Sequence, residues 1–156
     1  MSRDLERVVS FDLSSLGYAL SRGFREVLAP FDLEPREFGL LRDLGAREGQ
    51  SQQAIADRLQ IPPSRVVAIV DGLEQRRLVT RRPAPGDRRV RALYLTEAGR
   101  ALLADAGAHA LAYEQRVTAP LSQRQRAQLL NLLDRIAAGA GLTLGGPHAA
   151  VGDDSA

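Results

Sequence analysis

The chain has 156 residues, enough for one domain with a substantial core. It carries 21 basic residues, all arginine, against 19 acids, and a net charge of +2 is too small to identify a partner by itself. The absence of cysteine excludes a disulfide frame, a thiolate nucleophile and any Cys-containing zinc site, and no apolar run approaches the ~20 residues needed to span a bilayer.

With four Phe, three Tyr and no Trp, the core must be built mostly from Leu, Val, Ile and Ala. The opening stretch MSRDLERVVSFDLSS mixes acids with bases and lacks a long apolar centre, so it does not read as a secretory signal. A cytoplasmic protein is expected. Between Phe11 and Phe31, Leu13, Leu16, Leu20, Phe24 and Val27 recur every three or four residues, which predicts an amphipathic helix ended or bent by Pro30. A second helix fits PREFGLLRDLGARE, with Pro35 at its start and Phe38, Leu41 and Leu44 on one face.

Ser51 is placed to cap a short helix running to about Leu59, and IPP cannot continue it. Pro63 suits the first turn of a new helix, in which Val66, Ile69, Val70 and Leu73 form the inward stripe. Two short helices joined by a tight turn are the helix-turn-helix signature. LVTRR and VRALYL are then β-capable runs around Pro-Ala-Pro-Gly-Asp, where Pro85-Gly86 suits the centre of a type II turn. This hairpin is a wing appended to the helix-turn-helix. Thr96 caps a long Ala-rich helix reaching about Pro120, and Ser122 with Gln125 forms a capping box for a last helix. From Gly141 the sequence loses its period, so residues 141–156 are expected to be a disordered tail.

The charge is concentrated around the wing. Arg76 to Arg91 holds seven arginines and one acid, Asp87. All-arginine usage reflects codon bias, so the position of the charges, and not the choice of arginine, carries the information. One reading has the wing meeting DNA phosphates; the other has a solvated hairpin in an arginine-only proteome.

Over about residues 10 to 140 the chain resembles MarR-type winged-helix transcriptional regulators. The resemblance lies in QQAIADRLQIPPSRVVAIVDGLEQRRLV and in GDRRVRALYLTEAGRALL. The latter contains Asp-x-Arg at Asp87 to Arg89 and Leu-Thr-x-x-Gly at Leu95 to Gly99. It implies a mostly α fold with a small β-hairpin wing: a winged helix-turn-helix lobe, 34–96, between dimerisation helices, 10–31 and 97–140, all in one domain. It also implies a homodimer on a palindromic double-stranded operator, with the helix from Pro63 in the major groove and the wing tip in the flanking minor groove.

On that reading Arg89 takes the family's inserted-arginine position, drawn to the negative potential of a narrow minor groove, and Asp87 holds its side chain. Arg81, Arg82, Arg88 and Arg91 would neutralise phosphates. Pro63, Ser64, Arg65, Val67, Ala68 and Asp71 face outward or sideways; Ser64 and Arg65 suit polar contacts, while Val67 and Ala68 either touch thymine methyls or simply pack. Relatives often carry polar residues at those two positions. At Arg77 they often carry Gly, and a left-handed arginine there would cost roughly 1 kcal/mol. Arg42, Arg47, Gln52 and Gln53 lie close to the helix-turn-helix, where solvated surface is favoured over phosphate contact.

The wide apolar arcs at both chain ends, through Leu13, Leu16, Leu20, Leu129, Leu132, Leu133 and Ile136, favour burial against a second copy. Many relatives respond to small aromatic or phenolic ligands, for which Tyr18, Phe38, His109 and Tyr113 are candidates, although each also reads as an ordinary core or surface aromatic. Two histidines, one in the tail at His148, give no metal site, and no cofactor is expected. The absence of a phosphate-binding glycine loop or paired-carboxylate signature argues against an enzyme. A DNA-binding regulator, most often a repressor relieved by a small molecule, is the leading reading. A winged helix used for protein interaction, or a regulator without a ligand response, is the alternative.

Overall fold

The structure, a computed structural model, describes residues 8–84, 86–142 and 144, and of Asp87 and Arg88 it describes the backbone alone. Residues 1–7, the turn residue Pro85, His148 and the expected tail, apart from Gly141, Leu142 and Leu144, lie outside the described residues. So does the expected side-chain contact from Asp87 to Arg89.

Helix α1 spans Val9–Leu28, and Pro30 sits in the 3-10 turn Ala29–Phe31 that closes it. Helix α2, Pro35–Ala46, begins at a capping box between Glu34 and Glu37. The sequence did not announce that box, because glutamate is not among the favoured N-cap residues. A two-residue strand β1, Gln50–Ser51, was not anticipated either. Helix α3 follows over Gln52–Leu59, with the N–H of Ala54 donating to Ser51 Oγ at 3.1 Å as expected. Helix α4 is Pro63–Gln75, β2 is Val79–Ala84 and β3 is Asp87–Leu95. Helix α5 covers Glu97–Thr118, and α6 covers Gln123–Gly139 behind the Ser122–Gln125 capping box.

The three strands form one antiparallel sheet in the order β1-β3-β2, with Val79 opposite Leu95 and Arg81 opposite Leu93. β1 adds the pairs Gln50–Leu93 and Ser51–Ala92, which tie the start of α3 to the hairpin. Leu40, Leu41 and Leu44 of α2, Ile55 of α3, Val66, Val70 and Leu73 of α4 and Leu93 of β3 are wholly shielded from solvent. Each such aliphatic side chain contributes roughly 1.5–3 kcal/mol relative to exposure. The core therefore sits between the helix-turn-helix and the sheet, and it fixes α4 from behind.

α1 crosses α5 closely at Gly23, where an added Cβ would lie 2.7 Å from Tyr113 Oη. The Tyr113 hydroxyl donates to the carbonyl of Leu20 at 2.9 Å, closing the crossing. Away from that crossing the terminal helices leave many apolar side chains uncovered. Leu16, Leu129, Leu132 and Ile136 are exposed and Leu13, Leu20 and Leu133 are only half-buried, while Phe11, Leu111 and Leu130 are exposed as well.

The Leu-Thr-x-x-Gly stretch has a physical explanation. The Thr96 hydroxyl accepts from the N–H of Gly99 at 3.0 Å and donates to the carbonyl of Arg77 at 2.6 Å, and the Thr96 N–H donates to Leu78 O at 3.0 Å. A Cβ at position 99 would overlap the Leu78 carbonyl, so only glycine permits this approach. Arg77 itself is left-handed, φ 58°, as its place after α4 requires. Its N–H donates to Glu74 O and that of Leu78 to Leu73 O, both at 2.9 Å, which is a Schellman termination with Leu73 and Leu78 buried together.

Two stability changes follow. Gly99→Ala should destabilise the chain by at least about 3 kcal/mol in thermal unfolding, since a backbone carbonyl cannot step aside; an unchanged midpoint would refute the close approach. Arg77→Gly should raise stability by roughly 0.5–1 kcal/mol, read as a higher urea midpoint at constant m-value.

Candidate nucleic-acid interface

Helix α3 ends at Gln60, φ 53°, where the N–H of Ile61 returns to Ala56 O at 3.2 Å. Pro62 and Pro63 then prevent continuation and start α4 in a new direction, with the N–H of Arg65 donating to Pro62 O at 2.9 Å. α3 is also held from outside. Asp43 of α2 is 6% exposed and accepts twice from Arg58 of α3, from Nε at 2.8 Å and Nη2 at 2.6 Å. The hydrogen bond and charge of Asp43 raise the Arg58 guanidinium above its ordinary value in spite of burial. The turn between α3 and α4 is thus set by two prolines, one left-handed residue and an ion pair behind it.

With Val66, Val70 and Leu73 inside, α4 presents Pro63, Ser64, Arg65, Val67, Ala68 and Asp71 on its exposed side, and Ile69 is half-buried. Val67 is 42% exposed, so it is not a core residue of this lobe. The outward face combines one hydroxyl, one guanidinium and a short apolar step. Groups of these kinds are able to hydrogen-bond base edges or phosphates and to pack on thymine methyls.

The six wing arginines whose side chains are described do not behave alike. Arg82, Arg89 and Arg91 are exposed, and the Arg82 guanidinium lies 5.4 Å from the centroid of the Tyr94 ring, which steadies it without consuming its charge. Arg76 is turned back to Glu37 at 3.5 Å, Asp32 at 3.7 Å and the Phe31 carbonyl at 3.4 Å, linking the end of α4 to the start of α2. Arg77 is the exposed left-handed residue of the Schellman turn.

Arg81 departs from expectation. The sequence suggested a phosphate contact, but the side chain is 19% exposed and both its Nη groups are paired, Nη1 with Glu74 and Nη2 with Asp71. Its backbone N–H donates to Glu74 Oε1 at 3.1 Å as well. Burial alone would lower the Arg81 pKa, and the hydrogen bonds and charges of Asp71 and Glu74 outweigh it and raise the value. The physical reason is placement: β2 leaves α4 after three residues, which brings position 81 back against the last turns of the helix.

Of the neighbouring candidates, Arg42 is exposed and Arg47 is exposed within 3.7 Å of Asp43. Gln53 is bound to Asp57 at 2.7 Å, and Gln52 is half-buried with its Nε2 unpartnered among the described residues.

The four candidate ligand residues do not share one cleft. Phe38 is buried edge-on to Phe24 with centroids 5.7 Å apart, and Tyr113 lies 6.1 Å from the same ring. His109 packs on Phe31 instead, at 5.0 Å, and Tyr18 is 73% exposed on α1. A cleft of about 260 Å³ lies elsewhere, between Gly45 of α2, Glu48 just beyond its end, and Leu95, Arg100, Leu103 and Ala104. Sequence reasoning missed it because its polar wall, Arg100 bound to Glu48 at 2.6 Å, joins residues 52 apart. Among the described residues no cluster of His, Asp or Glu could hold a metal, and no helix is long and apolar enough to cross a membrane.

Comparison with known proteins agrees with this geometry. The MarR family model matches residues 31–90. The HTH-type transcriptional regulator PecS of Dickeya dadantii (strain 3937) is 31% identical over 127 residues, 80% of this chain and 76% of that protein. The transcriptional repressor CouR, solved on a 23-mer DNA duplex, is 36% identical, with a TM-score of 0.78 over 88% of this chain and 97% of that one. CouR from Rhodococcus jostii RHA1, solved with p-coumaroyl-CoA, is 32% identical, with a TM-score of 0.76 over 86% and 95%. Capped helix-turn-helix, arginine wing and extended sequence similarity together show that the chain belongs to the MarR family, as a DNA-binding transcriptional regulator and not an enzyme.

Proposed function

We propose that the protein is a homodimeric cytoplasmic repressor that binds a palindromic operator and is released from it by a small aromatic or phenolic ligand. The observation that carries this is the exposure of Ser64, Arg65, Val67 and Ala68 on α4 and of Arg82, Arg89 and Arg91 on the wing, in a chain similar to a repressor solved on DNA. α4 enters the major groove, where Ser64 and Arg65 meet base edges or phosphates and Val67 and Ala68 meet thymine methyls. Arg89 enters the minor groove at the wing tip, and Arg82, Arg88 and Arg91 neutralise phosphates.

The apolar arcs of α1 and α6, with Leu16, Leu129, Leu132 and Ile136 exposed on the single chain, support burial against a second copy. The lobe 34–96 then binds DNA, and the helices in 10–31 and 97–140 pair. Two-fold symmetry calls for half-sites about one helical turn apart, roughly 34–36 Å. The ligand class rests on the similarity to CouR, whose p-coumaroyl-CoA carries a phenol. The aromatic cluster of Phe24, Phe38 and Tyr113 between α1, α2 and α5 is the surface that such a ring would meet.

Selection of fragmented genomic DNA on the purified protein at physiological salt should enrich an inverted repeat. Uniform retention that vanishes as salt is added would mean that only the arginine field binds, and would overturn the operator reading. On the selected site, Arg82→Gln should lower the slope of log K against log salt by about one unit, and Arg89→Ala should weaken binding by about 1–3 kcal/mol with the dimer intact. Unchanged slope and affinity would remove the wing from the interface.

A further inference from the structure

We infer that Arg81 is a positioning residue: it clamps the wing to the recognition helix and thereby sets where the wing arginines fall on DNA, without contacting DNA itself. This rests on the operator-binding reading above. Only Arg76, Arg77 and Leu78 separate α4 from β2, so the direction of the hairpin depends on that short turn and on whatever holds the first strand against the helix. Arg81 supplies the hold. Its two Nη groups reach Asp71 and Glu74, which lie one turn apart on α4, while its backbone N–H engages Glu74 as well. A planar guanidinium can join two carboxylates in this way; a lysine ammonium, a single point charge, cannot fix both directions at once.

The electrostatics favour keeping the clamp closed on DNA. Asp71 stands on the exposed side of α4 with Arg65, Val67 and Ala68, and Glu74 follows one turn later. If Arg81 left them for a phosphate, two carboxylates would remain uncompensated beside a polyanion. Staying in place, Arg81 neutralises both and leaves phosphate contact to Arg82, the next residue, whose guanidinium lies on the Tyr94 ring. Adjacent arginines on one strand thus take opposite tasks, because successive side chains point to opposite faces.

The test exploits a difference in sign. The near-isosteric pair Asp71→Asn with Glu74→Gln removes two negative charges near the DNA but releases Arg81. If the clamp positions the wing, operator binding should weaken by about tenfold, with an unchanged salt slope. Hydroxyl-radical protection should fade in the flanking minor groove and persist over the central major-groove contacts. Arg81→Lys and Arg81→Gln should behave alike, and Arg89→Ala should lose most of its effect in either background. Tighter operator binding by the Asp71/Glu74 variant would overturn the inference, since charge alone would then decide. So would a slope lowered by about one unit in Arg81→Gln, which would put Arg81 on a phosphate. Thermal unfolding of each variant separates a local effect from loss of fold: weaker binding that tracks a lower melting midpoint, with protection lost evenly across the site, would also overturn it. Failure of the wild-type chain to select any inverted repeat would instead remove the operator reading on which the inference stands.

Discussion

The architecture depends on one close approach, the carbonyl of Leu78 lying where residue 99 has no side chain. At that point the end of α4, the base of the wing and the start of α5 share a single hydrogen-bonded junction through Thr96. Glycine at 99 lets backbone meet backbone, and threonine at 96 satisfies the carbonyl of Arg77 and the first turn of α5 together. The Schellman turn at Arg77 completes the junction by burying Leu78 against Leu73. A helix, a hairpin and a second helix thereby become one unit, although few residues connect them.

The second organising influence is the distribution of carboxylates. Seven arginines between positions 76 and 91 read alike in the sequence, and acids far away in sequence or on another element sort them. Asp32 and Glu37 draw Arg76 toward the core lobe; Asp71 and Glu74 draw Arg81 onto α4. Arg82, with an aromatic ring beneath it and no acid in the contacts above, stays solvated. Arginine's fixed fork and permanent charge make it suited to both tasks, and the nearest acid decides which one a given arginine performs.

Much of this was legible in the sequence where the signal is local. Pro63, the Ser51 and Thr96 caps, the Ser122–Gln125 capping box and the inward stripe of α4 are read within a few residues, and all stand where expected. The exposed side of α4 follows from the same period. What escaped was non-local or unconventional. The Glu34 cap lies outside the usual cap residues, and β1 is too short to show a period of two. The ion pair of Arg58 with buried Asp43 joins two helices through residues fifteen positions apart, and the capture of Arg81 depends on the direction in which β2 leaves α4. The grouping of the candidate ligand residues was not legible either, because helical spacing alone does not tell which aromatic rings, here Phe24 with Phe38 and Tyr113, will meet across three helices.

Helix α5 has a mechanical consequence. Its 22 residues make a rod about 33 Å long, fixed at Gly99 to the base of the wing and crossed near its far end by α1 at Tyr113. Such a rod is a lever. Pivoting it by ~10° about the distal crossing carries the Gly99 end, roughly 21 Å away, through about 3.7 Å, roughly two-thirds of the ~5.4 Å pitch of one helical turn. Because the Leu78 carbonyl leaves no slack at that end, the wing and α4 must travel with it. A wedge inserted among the rings around Tyr113 would need to move its neighbours very little for the reading surface to fall out of register with a groove.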